Sequence, residues 1–196
     1  MEGSTASACH FAGIVAGAAA LAVAGCGGGT RQDAAEPSGT FQVDVVNASF
    51  PTKQHLARSE RFVIAVRNTG HEAVPNVAVT VNSFAKRSQQ AGLADPSRAV
   101  WIVDASPRGG DTAYTNTWAL GRLAPGQTRR FVWRVTAVQA GTHTVKWAVA
   151  AGLNGKAKAT LAGNRAPAGS VTVDVSAKPA QAHVDPKTGR VVRDSQ

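Results

Sequence analysis

At 196 residues the chain has room for one domain with tails, or for two very small ones. Apolar residues make up 43% of it, which excludes wholesale disorder, and a formal charge of +9 favours acidic partners. Its two cysteines, Cys9 and Cys26, both lie near the N-terminus, so the chain beyond them has no disulfide and no thiolate metal site. The first element in chain order is Phe11 to Ala24, an uncharged apolar run. It is shorter than the about 20 residues a spanning helix needs, and it reads as the hydrophobic core of a secretory signal.

The run ends in Val23-Ala24-Gly25-Cys26. An aliphatic residue, two small residues and a cysteine resemble the lipobox of bacterial lipoproteins. The resemblance implies that residues 1–25 are a signal peptide. It also implies that Cys26 accepts a diacylglycerol and holds the mature chain to the extracytoplasmic side of the cell membrane. The stretch Met1 to His10 carries Glu2 and neither Lys nor Arg, and Ala22-Val23-Ala24 is also an A-x-A site for ordinary secretion.

Residues 26–39 follow as the lipidated cysteine and a flexible linker, Gly-rich and then polar. As a free chain it would hold its cargo about 20 Å from the anchor. From Thr40 the apolar period becomes two, the strand signal. Val43 and Val45 open the series. Phe62, Ile64 and Val66 follow, then Val77, Val79 and Val81, then Val100 to Val103. Tyr114 to Leu120, Phe131 to Val135, Val145 to Val149 and Val171 to Val175 complete it. Turn signals separate these runs: Asn68-Thr69-Gly70, Pro107-Arg108-Gly109-Gly110, Ala124-Pro125-Gly126-Gln127 and Ala140-Gly141. Pro125-Gly126 is the central pair expected of a type II turn. Only Ser88 to Ala94 suits a helical turn. The pattern predicts an all-β, antiparallel sandwich of about seven to eight strands over residues 40–176, with a disordered tail at 177–196.

Arg67-Asn68-Thr69-Gly70 followed by Val74 to Val81, and Leu123 to Gln127 followed by Phe131 to Val135 and Ala140 to Val145, are similar to bacterial Ig-like domains of the CARDB and DUF11 type. The resemblance covers residues 40–176. It implies an Ig-like fold and a surface role in adhesion, assembly or spacing. The long stretches Ser83 to Arg98 and Ala151 to Gly169 depart from the compact pattern.

Motifs for chemistry are absent. His55, His71, His143 and His183 form no zinc-binding spacing, and no G-x-S-x-G, Walker or GxGxxG sequence occurs. Asp104 and Asp111 flank a Ser- and Gly-rich loop that would suit Ca²⁺, although turn formation explains them more simply. Trp118, Trp133 and Trp147 share parity with aliphatic neighbours and belong to the core. Trp101 has Val100 and Ile102 at the opposite parity, which leaves an exposed position open to it.

If every connection reverses the chain, the loops bearing Lys53, Arg58, Lys86, Arg87, Arg98, Arg122, Lys156, Lys158 and Arg165 fall at one end. The other end, with Glu72, Arg108 and Asp111, is nearly neutral and receives the N-terminal tether. Lys53, Arg58, Lys86, Arg87, Arg98, Lys156, Lys158 and Arg165 are therefore the candidate anion-binding residues. The expected function is that of a non-catalytic, lipid-anchored surface module with no cofactor and no resident metal. Its partners would be the membrane, through the lipid, and an anionic envelope polymer or another surface protein. Export argues against nucleic acid. The rivals are a ligand- or metal-binding lipoprotein serving a transporter, and an accessory domain of an envelope enzyme.

Overall fold

Period-two patterning gives each strand one apolar face, and two such faces must meet to be buried. The computed structural model describes residues 31–89, 94, 96–179 and 181–193. The signal segment, Cys26 and the linker as far as Thr30 lie outside the described residues, as does the middle of the stretch Ser88 to Ala94. In chain order the strands are β1 (Gly39–Ser49), β2 (Lys53–Leu56), β3 (Ser59–Asn68), β4 (Ala78–Thr80), β5 (Trp101–Ala105) and β6 (Thr117–Ala119). They continue with β7 (Thr128–Ala137), β8 (Gly141–Ala150), β9 (Ala157–Thr160), β10 (Ala168–Pro179), β11 (Ala182–Val184) and β12 (Val191–Arg193). A short 3-10 turn, Asn82–Ala85, follows β4.

Sheet I has the order β5-β7-β3-β1-β9 and sheet II the order β2-β10-β8-β4-β6. The result is the expected Ig-like β-sandwich. Neighbouring strands run antiparallel except at two edges, where β9 joins β1 and β2 joins β10 in parallel. β2 lacks apolar alternation, and β9 alternates only through the small Ala157 and Ala159, so neither is among the strands expected from sequence.

The inward faces close on one core. Phe62, Ile64, Val66, Phe131, Trp133 and Val135 come from sheet I, and Val79, Val145, Trp147, Val149 and Val173 from sheet II. Trp133 and Trp147 thus sit on facing sheets, both buried, as their alternation implies. Trp118 is half-buried against Trp133, with ring centres 5.4 Å apart. Trp101 is buried too, 5.5 Å from the Phe50 ring, while Ile102 is 50% exposed. The run Val100 to Val103 therefore alternates with Trp101 and Val103 inward, and Val100 is buried just before the strand begins.

Trp147 has an unusual neighbour. Gly169 stands opposite it on β10, and a Cβ at Gly169 would come within 2.4 Å of the indole. Glycine is needed there for space. Gly169→Ala is expected to destabilise the fold by about 1–3 kcal/mol, the usual cost of overfilling a packed site. The midpoint of urea unfolding measures it, and the double change Gly169→Ala with Trp147→Leu should recover part of the loss. An unchanged midpoint in the single variant would show that the ring can move aside freely.

Where a disordered tail is expected, β10 runs on to Pro179 and β11 pairs with β12. The turn between them is locally encoded. Asp185 accepts hydrogen bonds from the Lys187 amide (2.8 Å) and the Thr188 hydroxyl (2.9 Å), and Gly189 takes φ 66°. Those bonds, the Lys187 amide first, hold the Asp185 carboxyl below its ordinary range.

Candidate anion-binding surface

The pairings fix which loops share an end. β1, β7 and β9 run one way and β3 and β5 the other, while β4, β10 and β2 oppose β8 and β6. The short turn from β7 to β8 joins the two sheets and defines an upper end. Val138 donates to the Val100 carbonyl there, at 3.0 Å. The lower end lies where β3 leads into β4. There Asn68 bonds to Gln127 and Gly126, Val74 bridges Leu123, and the Asn76 amide donates to Ala151.

Strict reversal at every connection fails at one place. The run Tyr114 to Leu120 is not a single strand. Asn116 adopts φ 55°, and the chain turns there, with the Thr117 amide bonded to Tyr114 at 3.2 Å. Asn tolerates this left-handed conformation, whereas most residues resist it. Asp111 bridges Trp118 across the turn. As a result β5 and β6 run in the same direction relative to the two ends, and every later strand is inverted against expectation.

The eight candidate cations are consequently divided. Lys53, Arg58, Lys86, Arg87 and Arg98 belong to the upper end, and Lys156, Lys158 and Arg165 to the lower. They do not form one binding end. Some are also engaged. Arg58 pairs with Glu60 at 2.7 Å, and the Arg87 guanidinium donates to the Ser97 carbonyl at 2.7 Å. Lys53, Lys86, Arg98, Lys156, Lys158 and Arg165 are exposed.

The lower end also receives part of the stretch expected to be a free linker. Arg31 to Ala35 forms a turn, and Asp33 is only 2% exposed. The Tyr114 hydroxyl donates to the Asp33 carboxylate at 2.6 Å, and Arg31 grips it from two nitrogens at 3.0 and 2.8 Å. The Tyr114 hydroxyl and then Arg31 hold that carboxyl below its usual range. Glu36 accepts from the amides of Leu153 (2.6 Å) and Asn154 (3.3 Å) and from the Asn76 side chain (3.0 Å). Gly152 makes room for it, since a Cβ there would lie 2.5 Å from the Glu36 carboxylate. The second half of the linker is therefore docked, and its two acids are structural. An acid-bearing segment next to a glycine-containing loop is a weak sequence signal, and nothing in it names the partner.

The other sites considered from sequence are not brought together. Asp104 accepts from the hydroxyls of Ser59 (2.5 Å) and Thr136 (2.7 Å) on the outer face of sheet I. Asp111 accepts from Ser106 at 3.2 Å, beside β6. Each carboxylate has its own hydroxyl partners. Among the described residues no three His, Cys, Asp or Glu side chains gather as metal ligands. His143 lies on β8 with its Nε2 3.1 Å from the Gln139 carbonyl.

Sequence reasoning passed over the outer face of sheet I. The arginines that alternate with core residues on β3 and β7 project together from it. Arg61 stands directly opposite Arg134, and Arg130 opposite Ala65. Arg67 differs, because it has Asp44 across from it on β1.

No known protein family matches the sequence, and no curated protein matches it. Solved structures similar to it include a CARDB domain from Pyrococcus furiosus, crystallised with di-metal ions. That domain is 15% identical with a TM-score of 0.40, over 72% of this chain and 90% of that one. Another is the Escherichia coli alpha-2-macroglobulin from domain MG7 to its C-terminus, 14% identical with a TM-score of 0.44, over 76% of this chain and 21% of that one. A PapD-like domain of human CEP192 is 12% identical with a TM-score of 0.40, over 71% of this chain and 87% of that one.

Proposed function

We propose that this chain is a non-catalytic, lipid-anchored envelope module, which uses its Ig-like sandwich for spacing or scaffolding in contact with anionic envelope polymer. The carrying observation is the order of parts along the chain. An uncharged apolar run ends in Val23-Ala24-Gly25-Cys26, and the sandwich and its docked Arg31–Pro37 segment follow closely. A sulfur nucleophile after two small residues suits lipid transfer and peptidase cleavage. The positive charge of the chain favours anionic material over neutral material.

Cys26→Ala is expected to move the protein from the membrane fraction to uncleaved precursor or to secreted material. Fractionation and mass spectrometry of the N-terminus measure this. Globomycin, which blocks lipoprotein signal cleavage, should make the wild-type precursor accumulate. Normal cleavage and full membrane retention of the variant would remove the anchoring claim.

A further inference from the structure

Arg61 and Arg134 are paired across neighbouring strands of sheet I. Like charges in that position weaken a sheet, so a fold gains nothing from keeping them opposite each other. Neither guanidinium has a hydrogen bond or ion pair among the described residues, and the same is true of Arg130. Arg130 lies four residues from Arg134 on the same strand and face, about 13 Å away.

Two shallow depressions meet at Arg130. One is lined by Arg61, Arg130 and the turn from Asn47 to Thr52. The other is lined by Arg108, Arg130 and Arg134. Taken together as one trough, they carry four guanidinium groups. Asp104 stands on the same face and accepts from the Ser59 and Thr136 hydroxyls without pairing with an arginine, and Asp44 stands opposite Arg67, so the four guanidinium groups leave a net positive charge. Val63 and Ala65 also face outward here yet are buried, beside side chains whose methylene stems can lie over apolar surface.

We infer that this trough binds an extended phosphodiester polymer. The guanidinium fork meets a phosphate through two parallel hydrogen bonds, which an ammonium group cannot do. Several forks spaced along a groove suit a chain of repeating phosphates better than a single small anion. The inference rests on the envelope reading above only for the source of the polymer, and it replaces loop clusters with a strand-borne surface.

The test uses the full chain in non-ionic detergent, with linear inorganic polyphosphate and poly(glycerol phosphate) as probes. Arg61→Gln, Arg130→Gln and Arg134→Gln together should weaken binding about 30-fold. The slope of log affinity against log salt should become shallower by about 2. Lys146→Gln with Lys178→Gln, on sheet II, should leave affinity within about twofold. Lysine at the three arginine positions keeps the charge and guards against misfolding. It should preserve the salt slope yet lose affinity severalfold. Unchanged binding in the glutamine variant would overturn the proposal. So would an equal loss in the sheet II variant, full affinity with lysine, equal affinity for a polyuronate, or tighter binding to detergent micelles doped with phosphatidylglycerol than to polyphosphate. Membrane fractionation of the glutamine variant should match wild type, and Cys26→Ala should still bind polyphosphate. The anchoring and the trough thus stand or fall separately.

Discussion

Trp133→Ala is expected to destabilise the protein by about 3–5 kcal/mol, the usual loss when a buried aromatic is deleted. Trp133 is 0% exposed and lies at the centre of a ring cluster. Its ring centre is 5.2 Å from Phe62, 5.4 Å from Trp118 and 5.9 Å from Phe131, the last nearly stacked. With the Phe84 ring at 6.3 Å, four rings surround the site, and they cannot all collapse into the space it would leave. Urea unfolding followed by far-ultraviolet circular dichroism measures the loss. Trp133→Phe should cost far less, because the indole N–H has no hydrogen-bond partner inside the core. Removing an unpaired buried donor offsets part of the lost contact. A loss below about 1 kcal/mol for the alanine variant would show that the site repacks.

Asn68→Asp is expected to be as damaging, for a polar reason. Asn68 is fully buried, and its amide ties two loops at the lower end. The side-chain NH₂ donates to the carbonyls of Glu72 at 2.8 Å and Leu123 at 2.9 Å, and the side-chain oxygen accepts from Gly70 at 2.9 Å. A carboxylate would lose both donors and set a charge against two carbonyl oxygens. The expected cost near neutral pH is about 3–5 kcal/mol. The sign with pH is opposite to that of a salt-bridged acid. Burial would raise the introduced carboxyl's pKa in the fold, so the variant should be least impaired below the unfolded pKa of about 4 and should lose stability as pH rises. Asn68→Leu removes the same bonds without a charge and should show no such trend. Stability of the aspartate variant that does not fall between pH 4 and 7 would show that water reaches the site.

Much of the sandwich is legible in the sequence because burial imposes a period of two. The alternation of Phe62, Ile64 and Val66, of Phe131, Trp133 and Val135, and of Val145, Trp147 and Val149 places three central strands and their inward faces. Pro125-Gly126 announces its turn, and Gly126 takes φ 75° with Gln127 closing back on Ala124 at 3.1 Å. What periodicity does not carry is direction. Tyr114, Asn116, Trp118 and Leu120 keep one parity through a turn, so the reversal at Asn116 is hidden. One hidden reversal transfers Lys156, Lys158 and Arg165 to the other end of the molecule. β2 and β9 are hidden for another reason, since Lys53–Leu56 and Ala157–Thr160 are edge segments held by backbone bonds to β10 and β1. The arginines of the trough are visible in the sequence as the polar half of two alternating patterns. Only the β3–β7 register brings them face to face.

The parallel pairing of the edges sets the order in which the fold can complete. Gly39 lies opposite Ala157 and Lys53 opposite Asp174, so the first two strands wait for partners from the far end of the chain. Antiparallel neighbours joined by a short turn, such as β11 and β12, need no such wait. Closing contacts of long sequence separation is slow, and β-sandwiches fold over milliseconds to seconds. Until residues 157–179 arrive, β1 and β2 each keep an open hydrogen-bonding edge, the kind of template on which chains pair with one another. β9 and β10, made late in the chain, therefore decide when the open edge of β1 and the inner edge of β2 cease to be templates for aggregation.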